Sequence, residues 1–172
     1  MDTINSELEK NGIKIICPIS TLNINEISTY VARCLCSKMP ELKLNYNTIF
    51  MSISRLPMYI AELPLGSADA CYFYKNSSIY FRKGLTFDKI KKLAVHEAIH
   101  HLQEVKDSNG KLRKMGLCTY VGNKAYGTSL NEGAVQLISS NLTGEKGDTV
   151  KYYGILLPTD SPSYYPLICN LV

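Results

Sequence analysis

No apolar run in this sequence is long enough for a signal peptide or a membrane span, and its opening residues, MDTINSELEKNGIKIICPIS, include acidic ones from the second position. The expected location is therefore the cytoplasm, with no membrane segment in the chain. No internal repeat, low-complexity tract or linker interrupts it. It also lacks a long basic block: 19 Lys and Arg against 15 Asp and Glu leave a net charge of +4, scattered along the chain. That speaks against nucleic acid as a partner. The densest basic stretch, DKIKK (88–92), reads as the solvated start of a helix. The six cysteines, Cys17, Cys34, Cys36, Cys71, Cys118 and Cys169, contain no CxxC pair and read as reduced, mainly buried thiols. Cys34 and Cys36 sit two apart in an expected helix, so their side chains diverge by about 200° and cannot share a metal.

A chain of 172 residues with 45% apolar content can bury its own core, and one domain over 1–172 is expected. GIKIICPI (12–19) reads as a strand, and INEISTYVARCLCSKM (24–39) as an amphipathic helix capped by Asn23 or Asn25. YNTIFMSIS, DACYFYKN and SSIYFRKG read as short strands, the last two forming an antiparallel hairpin through a tight KNSS connection. After Gly84 the pattern turns helical, with Thr86 as N-cap and Asp88 in the positive first turn. Over residues 86 to about 106, Val95, Ala98, Ile99, Leu102 and Val105 fall on one apolar arc. His96, Glu97, His100, Gln103 and Glu104 occupy the other side. That side is either functional or simply a solvated polar face.

Within this helix stands AVHEAIHHLQ (94–103). Residues four apart are offset by only about 40°, so the imidazoles of His96 and His100 can converge on one ion. Zinc accepts such ligands in a tetrahedral shell. Glu97 is turned about 100° from His96, which sets its carboxylate beside the ion, where a general base belongs. This is the H-E-x-x-H pattern, with a role for each residue. His101 is out of register with the pair. A third ligand is needed, and an extended motif with a third histidine is excluded, because Gln103 stands in the glycine place and no histidine follows His101. Glu104 is expected to lie behind the ligands or on the surface, because three ligands along one straight helix would span about 12 Å of rise. The best downstream carboxylate is Glu132 in SLNEGAVQLISS (129–140), read as a helix with Leu130, Ala134, Leu137, Ile138 and Leu142 on one side. Gly133 would let this helix approach the first closely. Ser129 and Glu132 also fit a capping box, so both roles stand open for the glutamate. Asp107 and Glu104 are held in reserve as ligands.

HEAIHHLQ followed by LNEGAVQ resembles the gluzincin metallopeptidases, in particular the small minigluzincins, over roughly residues 70–140. The resemblance implies an α+β, zincin-like domain, with a small, partly antiparallel sheet, an active-site helix and a glutamate helix. It assigns His96, His100 and Glu132 to Zn2+ and Glu97 to catalysis. It further implies that SSIYFRKG, with Ser78, Ile79, Tyr80 and Phe81, is an edge strand that receives an extended peptide. Many gluzincins place an aspartate where this chain has Gln136; with Asn131, Gln136 is the candidate to orient the ligands. An oxyanion donor is required, and Tyr120, Tyr126, Tyr152 and Tyr153 are candidates among 12 tyrosines. The expected activity is zinc-dependent endopeptidase action on a peptide or protein substrate. The alternative is a catalytically inactive or latent zinc-binding module of the same fold. The final SPSYYPLICNLV stops inside an apolar run, as expected of a docked terminal element or of a chain cut from something longer.

Overall fold

The computed structural model describes residues 2–122, 124–144, 148–152 and 155–159. The chain is α+β and divides into two compact units, residues 1–98 and 99–172, with the division inside one continuous helix.

The first unit contains α1 (Asp2–Lys10), β1 (Lys14–Pro18), α2 (Thr21–Lys38), α3 (Tyr46–Ser54), β2 (Met58–Glu62), β3 (Ala70–Phe73), β4 (Ser78–Arg82) and most of α4 (Phe87–Leu102). Its four strands run in the order β1-β2-β4-β3, with β2 and β4 parallel and the outer pairs antiparallel. The expected hairpin of β3 and β4 is formed. The expected edge strand is not: β4 is bonded to β2 on one side and to β3 on the other, so its backbone has no free edge for a peptide. Ser78, Ile79, Tyr80 and Phe81 are all buried, the uninterrupted pattern of an inner strand covered on both faces. The edge beside β4 is β3. On one face Tyr80 and Ala61 pack with Leu8 of α1 and with Ile13 and Leu63.

Three local expectations change. Ser20, not Asn23 or Asn25, caps α2, and its hydroxyl accepts the Asn23 amide. YNTIFMSIS is the helix α3, because Asn45 accepts the Thr48 amide and starts a turn. Ile49 and Ile53, four apart, then bury together on one helical face. The third change is in the thiols. Cys17 is exposed, Cys34, Cys36 and Cys71 are half-buried, and only Cys118 is buried; all five are free, and Cys169 lies outside the described residues.

Between β2 and β3, Arg82 gathers a loop. Its guanidinium donates to Asp69 Oδ1 and to the carbonyls of Leu63, Pro64, Ser67 and Ala68. One planar, always charged group thus satisfies the carbonyls of a connection with no ladder of its own.

The second unit holds the antiparallel meander β5 (Glu104–Lys106), β6 (Leu112–Met115), β7 (Cys118–Val121) and β8 (Lys124–Tyr126), then α5 (Thr128–Thr143) and the hairpin of β9 (Asp148–Tyr152) and β10 (Ile155–Thr159). The helix that carries the histidines is expected to reach about 106 but stops at Leu102, so Val105 lies in β5 and is 55% exposed instead of joining the apolar arc. Pairing with β6 takes the backbone of 104–106 away from the helical ladder. Among the described residues, no helix is long and apolar enough to cross a membrane.

Candidate metal centre

Helix α4 starts as its sequence dictates, with Thr86 Oγ1 accepting the Lys89 amide. Ile90, Ala94, Val95, Ala98 and Ile99 are buried. The opposite side is not a solvated face: Glu97 and His100 are only 6% and 5% exposed, while His96 and His101 are half-buried. Covering a carboxylate and an imidazole costs free energy unless they find partners or an ion. Burial also holds His101 below the ordinary imidazole range, ahead of the opposing influence of the Glu104 charge.

Helix α5 follows Gly127, whose φ of +84° makes the turn from β8 into the helix. No side chain caps this end, and Ser129 already lies inside the first turn, so the capping box is not formed. The buried side of α5 carries Asn131, Gly133, Ala134, Val135, Ser139, Ser140 and Leu142, while Leu130 is 43% exposed. The stripe is rotated from the expected apolar one because small polar residues can be buried when locally bonded. Ser139 donates to the Gln136 carbonyl, and Ser140 Oγ accepts from the Gln136 amide.

One ligand atom from each of His96, His100 and Glu132 lies within 4.8 Å of the other two, and together they can hold a metal ion. Among the described residues this is the cluster of that kind. A tetrahedral zinc with ligands at about 2.0–2.1 Å would have them about 3.4 Å apart, a separation within the 4.8 Å span of this cluster. Nε2 of His100 is already 3.3 Å from Oε2 of Glu132. Two imidazoles and one carboxylate are a donor set that zinc accepts, with a further position left open.

Asn131 lies against this centre: its Nδ2 is 3.4 Å from Nδ1 of His100, and its Oδ1 accepts the Leu117 amide at 2.8 Å. Gln136 instead spends its amide on Ser140. Tyr120 is half-buried on β7 and Tyr126 is 56% exposed on β8. The side chain of Tyr152, and Tyr153 altogether, fall outside the described residues. The reserve carboxylates are engaged elsewhere. Glu104 pairs with Lys106 at 2.7 Å, and Asp107 accepts from Arg113 and from the Asn109 and Lys111 amides. These bonds, the Lys111 amide first, hold the Asp107 carboxyl below its usual range. The Cys118 thiol lies 3.5 Å from the Thr128 hydroxyl.

Two features escaped sequence reasoning. Gly116 and Leu117 approach Asn131 from the β6–β7 turn, for which the only signal is a Gly between two short strand-like runs. Cys71, on β3, senses the Glu97 charge, and no local pattern could have paired them.

Comparison of the chain with protein-family models, curated proteins and solved structures gives no match.

Proposed function

We propose that the protein is a zinc-dependent peptidase of gluzincin type, with His96, His100 and Glu132 as ligands and Glu97 as general base. The observation that carries this reading is the convergence of those three ligand atoms within 4.8 Å, two of them from a helix that also bears Glu97 one position after the first ligand and the third from α5. Zinc in such a set supplies Lewis acidity, polarising a carbonyl and making water a better acid. Glu97 then accepts a proton from the attacking water and returns it to the departing amine. His96 and His100, one turn apart, and Glu132 from α5 would together hold that ion.

The peptide itself is assigned to β3, the outer strand beside β4 in its sheet, by strand addition.

A second reading has its own support. Glu97 is only 6% exposed, and a carboxylate so covered suits a latent zinc-binding module that holds metal without turnover. Metal analysis of purified protein combined with cleavage of a peptide library separates the two. Stoichiometric zinc with cleavage supports the peptidase; zinc without cleavage supports the latent module. Protein that neither retains nor takes up zinc would overturn both.

A further inference from the structure

The amide of Asn131 is engaged from opposite sides, and the two contacts together determine where His100 keeps its proton. Asn131 is 2% exposed. Its Oδ1 accepts the Leu117 backbone N–H at 2.8 Å, and its Nδ2 is 3.4 Å from Nδ1 of His100. A backbone N–H can only donate, so the Leu117 bond identifies the oxygen and turns the NH2 towards the imidazole. That NH2 has only hydrogens to offer, which makes Nδ1 the acceptor. A neutral imidazole accepting on Nδ1 carries its proton on Nε2. Nε2 is the atom 3.3 Å from Oε2 of Glu132, which is suited to accept that proton's hydrogen bond.

The amide is also wedged. Gly116 and Leu117 connect β6 to β7, and Gly116 has a φ of +55°. A Cβ added there would overlap Asn131 Oδ1 and Gln103 Oε1, so the turn's backbone lies directly on both side chains.

A ligating Nε2 needs its lone pair free, so the proton must move to Nδ1. There it would meet the N–H of Asn131, donor against donor. The conflict is relieved when the amide turns over and offers Oδ1 to His100, since metal-bound histidines give their second N–H to an acceptor. Leu117 N–H then faces an NH2 and loses its bond. We propose that Asn131 is a two-position clamp, through which metal binding by His100 releases the Leu117 amide and loosens the Gly116–Leu117 turn. The proposal rests on the metal-binding role given above to His100.

The test uses the full chain after chelator treatment, before and after addition of Zn2+, and an Asn131→Asp variant. Nitrogen NMR of the His100 ring and hydrogen exchange of the Leu117 amide are measured on each. The parent is expected to carry its His100 proton on Nε2 before zinc and on Nδ1 afterwards. Leu117 exchange should rise about five- to tenfold on loading, the factor that one hydrogen bond carries. In Asn131→Asp, a carboxylate can accept from both partners, so Nδ1 should be protonated before zinc and Leu117 exchange should not respond to loading. A parent with Nδ1 protonated before zinc overturns the clamp, and so does Leu117 exchange unchanged by loading. If the parent takes up no zinc, the metal reading fails and the clamp falls with it; zinc uptake accompanied by either contrary result overturns the clamp alone.

Discussion

Oε2 of Glu132 lies 3.3 Å from Nε2 of His100, a residue of a different helix. A capping glutamate would turn back over the start of its own helix; this one reaches away from it. Ser129, its would-be partner, is inside α5 and not at the cap.

The two residues should therefore respond differently to mutation. Glu132→Ala is expected to weaken zinc binding by at least about 100-fold, above the loss typical of an outer-shell partner. Ser129→Ala should leave zinc binding unchanged and alter stability by no more than about 0.5 kcal/mol, as for other exposed sites. Zinc titration beside a thermal melt reads both. Parent-like zinc affinity in Glu132→Ala would remove the glutamate from the ligand set.

Glu97→Gln keeps the shape of the side chain and removes its basicity. Zinc content should stay at the parent's level, while peptide cleavage falls about 10²–10⁴-fold, the usual contribution of a general base. Metal analysis and single-turnover cleavage on the same sample distinguish this from a lost ligand. Undiminished cleavage would mean that another group moves the proton.

The spacing of His96, Glu97 and His100 was legible in the sequence because an α-helix converts sequence interval into direction without help from the rest of the chain. Their burial was not legible, since what covers a helix comes from elsewhere in the chain. The same division separates the hairpin from its neighbours. KNSS revealed that β3 and β4 pair, but the parallel partner of β4 is β2, more than a turn away in sequence, so which strand keeps a free edge was hidden. An unbroken buried run, SIYF, was the available hint of an inner strand. YNTIFMSIS departs from its strand-like pattern for a different reason: a short apolar run is ambiguous by period, and the Asn45 cap decides for helix.

Gly116 offers a test of the contact behind His100. Its φ of +55° disfavours any Cβ, and an added methyl would overlap Asn131 Oδ1. Gly116→Ala should cost about 1–3 kcal/mol through backbone strain and displaced side chains. Gly110, also at positive φ but with nothing within 4 Å of an added Cβ, is the control for strain alone. Denaturant melts should show the larger loss for Gly116→Ala, and its zinc affinity should fall with Asn131 displaced. Equal losses in the two variants would mean that the turn does not bear on Asn131.

Cys71 supplies a pH dependence whose sign can be worked out. Burial first, and the Glu97 charge second, push its thiol from 9.0 up to about 12. The folded chain therefore holds this proton more tightly than the unfolded one. The associated stability is fully present below pH 9.0 and is lost as pH rises towards about 12. Tyrosines and lysines also titrate in that window, so the informative quantity is the parent's stability minus that of Cys71→Ala. This difference should decline steadily from pH 9 upwards in denaturant melts, and it should be flat below. At pH 8 the shifted thiol is almost entirely protonated, so an alkylating reagent should modify exposed Cys17 well before Cys71. A stability difference constant through pH 11, together with labelling of Cys71 as fast as Cys17, would show that the thiol is neither shielded nor under the influence of Glu97.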